Sequence, residues 1–209
     1  LKSGRVYQFN VFIGNAIKSG QAGANPNVEV VLESGTIRTS KQTNDIEKGA
    51  AVTWIEHTLY TEKGASDLTY SFYSVKDDAL GNVFIIDDIS LCPVDVRADV
   101  VNVDFCSEPG KVWFDAVVDG RPEGLDVYTR LMRKAKAGGN WEWDDQTGIT
   151  DSLRTYTTED NYANYDYRFV VSLTASGLER VPDESVRLNE YGTFSVTENF
   201  VPGHNCEAW

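Results

Sequence analysis

Two adjacent carboxylates, Asp87 and Asp88, stand inside an apolar, β-forming run from Val83 to Leu91. Acids are poor strand formers and costly to bury. A run that accepts two of them near its end either uses them or has already reached water. Two uses come forward: ligation of calcium through oxygen, or capping of loop amides. Glycoside hydrolysis fits less well, because it needs two carboxylates facing each other across one bond. A regular strand sends neighbouring side chains to opposite faces.

The remaining reactive residues exclude more than they suggest. His57 and His204 are the only histidines and no Cys-x-x-Cys pair occurs, so a zinc site has little to build from. His57 lies between Glu56 and Thr58 in a β-forming stretch, and no G-x-S-x-G elbow accompanies it. No Gly-rich phosphate loop precedes a helix. Cys92, Cys106 and Cys206 allow one disulfide with one thiol left over. Cys106 ends a predicted strand and Cys206 follows the last one, regions a sandwich can bring together. Cys106–Cys206 is therefore the preferred bridge, set against three reduced thiols. Such a bridge would be worth up to roughly 4–5 kcal/mol in the chain-entropy model.

Composition agrees with a folded β protein. The 209 residues are 41% hydrophobic and 24% charged, with ten Tyr, nine Phe, five Trp and a single Met. The aromatics, together with many Val and Thr, favour strands. A net charge of −13 argues against nucleic acid and anionic membranes as partners. It leaves an acidic solvated surface, or calcium bound by some of the acids. No apolar run reaches the length of a transmembrane helix. The chain opens at Leu1 without a leader and is expected to be a processed chain or an excised piece. No Asn-x-Ser/Thr sequon occurs.

Stepping along the chain, strands are predicted over 5–14, 28–32, 36–39, 52–60, 68–75 and 83–91, with turns near Gly35 and Gly81-Asn82. Ser40 to Ala50 reads as a loop or a single helical turn. Pro93 breaks the pattern, and a boundary is placed near 92–97. Beyond it, strands are predicted over 99–105, 112–118, 125–132, 140–144, 153–158, 165–175 and 186–197, with a polar loop at 160–164. The expected class is all-β, as two tandem β-sandwiches over 1–92 and 98–209.

The first half resembles carbohydrate-binding-module-like jelly rolls of bacterial secreted and surface proteins. The residues that carry the likeness are Gly4-Arg5-Val6-Tyr7-Gln8-Phe9, then Val52-Thr53-Trp54. Next come Leu68 to Tyr73, and finally Gly81-Asn82-Val83-Phe84-Ile85-Ile86-Asp87-Asp88-Ile89-Ser90-Leu91. The last segment is the most specific. Such modules usually begin with one more strand, so that strand is expected from outside these residues. In many of them an Asp of the closing strand joins a structural calcium, which would fall to Asp87 or Asp88. They stack sugars on exposed aromatic rings, for which Tyr73 is the leading candidate, followed by Trp54 and Tyr60. For each ring, packing in the core or rim is the commoner role. The second half resembles fibronectin type III or immunoglobulin-like sandwiches. That likeness runs through Leu125 to Arg130, Gly139-Asn140-Trp141 and Tyr165 to Val171, whose tyrosines resemble a tyrosine corner. Trp141 and Trp143 read as a sandwich-edge cover ahead of a binding patch.

These resemblances imply a non-catalytic protein at the bacterial cell surface or outside the cell that binds glycan or another surface polymer. Calcium would have a structural role. The alternatives are a subunit of an extracellular filament or surface array completed by a neighbouring chain's strand, and accessory modules of a secreted glycoside hydrolase.

Overall fold

The computed structural model describes residues 1–77, 82–144, 146–179 and 193–196. The chain is all-β, in several small antiparallel sheets, and divides into two compact units, Leu1–Val94 and Asp95–Trp209.

The first unit holds strands β1 (Val6–Asn15), β2 (Asn27–Ser34), β3 (Ile37–Asp45), β4 (Thr53–Glu62), β5 (Thr69–Ser74) and β6 (Phe84–Pro93). Two three-stranded sheets form, ordered β4-β1-β6 and β3-β2-β5. Period-two alternation explains the split of β1. Phe9, Val11 and Ile13 are buried to 1% or less and face Val28, Val30 and Leu32 of β2 across the core. Gln8, Asn10, Phe12 and Gly14 take the opposite phase and face outward. Each fully buried large apolar side chain contributes about 1.5–3 kcal/mol.

The two sheets close along β3 and β4. Thr39 Oγ1 donates to Thr61 Oγ1 (3.2 Å), Lys41 Nζ to the Thr58 carbonyl (3.1 Å), and His57 Nε2 to the Lys41 carbonyl (3.2 Å). This seam corrects the loop expected over 40–50, since β3 continues to Asp45. Its polar sequence is that of an edge strand. One face meets water, and Thr39, Lys41 and Thr43, opposite the buried residues of β2, hydrogen-bond rather than pack. On the other side of the unit the sheets end in β5 and β6.

The acid pair is neither at a strand end nor in regular alternation. It lies in the middle of β6, and the register slips there. Asn10 pairs with Ser90 and Phe12 with Asp87, so Val11 stands opposite both Asp88 and Ile89. This β-bulge has Asp88 at φ 49°, left-handed backbone that Asp tolerates better than most residues. The extra residue resets the alternation. Ile86 stands opposite Ile13, and Leu91 stands opposite Phe9, so both sit in the inward phase although the step from one to the other is odd. Asp87 and Ser90 both fall in the outward phase.

The second unit holds β7 (Arg97–Asp104), β8 (Lys111–Asp119), β9 (Tyr128–Ala135), β10 (Glu142–Trp143), β11 (Arg154–Thr158), helix α1 (Glu159–Asn164), β12 (Tyr165–Ser172) and β13 (Thr193–Val196). Its sheets are β11-β8-β7 and β10-β9-β12-β13. Phe114, Leu131, Tyr162, Tyr167 and Phe169 fill the core between them. The loop expected at 160–164 is one helical turn, because the Thr158 hydroxyl accepts from the Asn161 amide (3.3 Å) and caps its start. Asp144, fully buried, accepts from Thr157 Oγ1 and the Gln146 amide, both at 3.0 Å. Thr157 Oγ1 in turn lies 3.1 Å from the Tyr167 hydroxyl. Burial pushes the Tyr167 phenol well above its usual range.

Candidate functional site

The outward face of the β4-β1-β6 sheet gathers most of the residues suited to holding a ligand. Directly opposed residues of antiparallel strands share a face, so the register reads out its rows. Trp54, Gly14 and Ile85 form one row; Glu56, Phe12 and Asp87 the next; Thr58, Asn10 and Ser90 a third; Tyr60, Gln8 and Cys92 a fourth. Two aromatic rings on this face reach water, Trp54 at 42% exposure and Phe12 at 37%.

Gly14 is what lets the indole lie down. A Cβ at that position would stand 2.9 Å from Trp54 Cε3 and 3.0 Å from side-chain carbons of Ile85 and Val52. The Trp54 ring therefore crosses the backbone of β1 where no side chain intervenes. The polar part of the face is pre-ordered: Asn10 Oδ1 accepts from both Thr58 Oγ1 (2.8 Å) and Gln8 Nε2 (2.9 Å). Asp87 Oδ1 accepts from the Asp88 amide (2.9 Å), which ties its carboxylate to the bulge. Glu56 and Asp87 are both exposed.

Of the aromatics expected from sequence, Trp54 and Tyr60 share this face, with Tyr60 half-buried. Tyr73 is 52% exposed but belongs to the other sheet, on the outward phase of β5 opposite Glu29. The structure therefore does not bring the three rings together. Phe12, Glu56, Gln8 and Asn10 were not singled out from sequence. The available signal was Phe12, the one large apolar residue in the polar phase of β1.

Asp87 and Asp88 are both exposed, and among the described residues no group of three His, Cys, Asp or Glu side chains could hold a metal. Calcium takes roughly six to eight oxygens, so these two carboxylates would need backbone carbonyls or waters beside them. Cys106 is disulfide-bonded and Cys92 is a free, exposed thiol. Cys206 lies outside the described residues.

In the second unit, Trp143 is 8% exposed against Met132, Val170 and Leu178, with the Arg130 guanidinium 4.6 Å over its ring. Arg168 covers Trp141 at 3.9 Å. Both indoles are consumed in covering the sheet. A tilted aromatic pair joins Trp113 and Tyr156 (4.9 Å), with Arg154 over Trp113 and Lys111 over Tyr156. Arg154 also pairs with Asp104 and Asp115.

Against known proteins, the chain matches no family model, no curated protein and no solved structure.

Proposed function

We propose that this chain is a non-catalytic binding protein of the bacterial exterior, whose first unit holds a glycan or surface polymer on the outward face of β4-β1-β6. The observation that carries the reading is the pairing of two water-exposed rings, Trp54 and Phe12, with a pre-ordered set of hydrogen-bonding side chains on one face. Sugars present apolar C–H faces and a rim of hydroxyls, and this surface answers both. Binding is favoured over hydrolysis because the only carboxylates that oppose each other here, Glu56 and Asp87, have Phe12 between them where a scissile bond would lie.

The strand winding supports the two family resemblances. In the first unit β1 neighbours β6, β2 neighbours β5 and β3 neighbours β4, the nested order of a ribbon rolled on itself, as in a jelly roll. In the second unit the first, second and fifth strands share one sheet, and the third, fourth, sixth and seventh share the other. Immunoglobulin-like sandwiches group A, B and E against C, F and G in this way. The disulfide at Cys106 suits an oxidising compartment.

A glycan array probed with the whole chain tests the reading. Binding that is lost in Trp54→Ala and kept in Tyr73→Ala is expected; an array with no signal would sink it.

A second reading rests on the β5 and β6 side of the first unit. Tyr70 and Ile86 lie in the inward phase there, yet are 52% and 37% exposed, while Phe9, Val11 and Ile13 of β1 and Val28, Val30 and Leu32 of β2 are 0–1% exposed. An edge strand with uncovered core residues invites a further strand. On this reading a neighbouring chain completes the sandwich in a filament or array. Sedimentation and electron microscopy of wild type and Ile86→Lys test it: polymers lost in the variant support it, and a monomer at all concentrations does not.

A further inference from the structure

We propose that the β4-β1-β6 face selects polysaccharides bearing protonated amino groups over neutral or acidic ones. This rests on the glycan-binding reading and adds the charge of the ligand. The argument starts from the row Glu56, Phe12, Asp87. Both acids are directly opposite Phe12, one on each neighbouring strand. Adjacent strands lie about 4.8 Å apart, so a carboxylate stands to either side of the exposed ring. An ammonium group placed over that ring meets the negative π face and two carboxylates at once.

The charges of the two acids are open to a ligand. Several other strand acids have a basic partner: Glu33 with Arg38, Asp45 with Lys76, Asp99 with Arg97, and Asp104 and Asp115 with Arg154. Among the described residues no salt bridge reaches Glu56 or Asp87. The four rows of the face contain no Lys or Arg. Asp87 spends one oxygen on the Asp88 amide and keeps the other. A chain of net charge −13 reinforces the preference at long range. An acidic glycan would meet repulsion here with no cation to offset it. A neutral one would use the rings and amides but leave the two charges uncompensated.

Calorimetric titration of the full chain with two matched oligosaccharides tests this: a glucosamine oligomer with free amines, and the same oligomer fully N-acetylated. The amine form is expected to bind about tenfold tighter, and Glu56→Gln and Asp87→Asn each to remove most of that advantage. Both positions are exposed, so the variants should fold, which circular dichroism checks. Glu123→Gln, an exposed acid in the second unit, controls for net charge and should change nothing. Equal affinity for the two oligomers, with both dependent on Trp54, overturns the charge selection and leaves the glycan site standing. An amine preference untouched by Glu56→Gln and Asp87→Asn overturns the assignment to this row. Failure of either oligomer to bind, with an empty glycan array, overturns the glycan reading with it.

Discussion

Single residues decide the geometry of the candidate site. Gly14→Ala places a methyl group against Trp54, Ile85 and Val52, and overpacking of this kind costs about 1–3 kcal/mol. The variant should lower the denaturation midpoint and weaken glycan binding as much as Trp54→Ala does, because the indole is displaced. Asp88 carries the bulge. Asp88→Gly should stabilise the first unit by a few tenths to about 1 kcal/mol by removing the cost of a left-handed L-residue, while Asp88→Val should destabilise it. Urea denaturation of both separates these outcomes. His57 is buried in the β3–β4 seam, and burial holds its pKa below the usual 6.5. The unfolded chain therefore binds a proton more readily than the folded one. Its contribution to stability is complete above about 6.5, falls as pH drops below that value, and bottoms out once the folded state also protonates. His57→Gln should flatten the pH dependence of the first unit's stability across that acid range. Asp104 acts in the same sense, over a more acid range. The Ser107 hydroxyl first, then the Cys106 amide, hold its carboxylate at about 2, below its ordinary 3.8. Its contribution is present above 3.8 and lost as pH falls towards 2.

Elements explain why the sequence looked irregular where it did. Phe84 to Leu91 does not alternate cleanly because a bulge adds a residue in its middle. Once that residue is counted, Phe84, Ile86 and Leu91 fall on one face and Ile85, Asp87 and Ser90 on the other. The two acids are thus a device of strand geometry first. One bends the strand and the other is delivered to the outward face. Ser40 to Asp45 looked like a loop because an edge strand needs few apolar residues. In the second unit, Trp141 and Trp143 were legible as cover, since the sheet they flank offers Met132 and Val170 for burial. The network of Asp144, Thr157 and Tyr167 was not legible, because its members come from β11, β12 and the residue after β10 and meet only in the folded chain. Asp144→Ala leaves the Thr157 hydroxyl and Gln146 amide without their acceptor, and should cost about 1–3 kcal/mol in the second unit's unfolding free energy. Thermal melts of wild type and variant read that loss.

At the scale of the whole chain, each unit builds its own core from its own residues. Residues 1–94 and 95–209 expressed separately should each give the dispersed amide spectrum of a folded domain; a collapsed spectrum from either would show that it depends on the other. The all-β class followed from sequence alone, through aromatic and β-branched residues in short runs between turn signals. So did the strands' approximate positions, because these depend on local composition and spacing. Which aromatics share a face did not follow. Trp54 and Tyr60 join Phe12 on one sheet while Tyr73 goes to another, and that is settled by strand pairing between residues tens of positions apart. The same holds for Glu56 and Asp87, which meet around Phe12 only because β4 and β6 both pair with β1. Alternation along a strand is a local property and can be read from the sequence. The register between strands comes from burying one shared core, and only the folded chain fixes it.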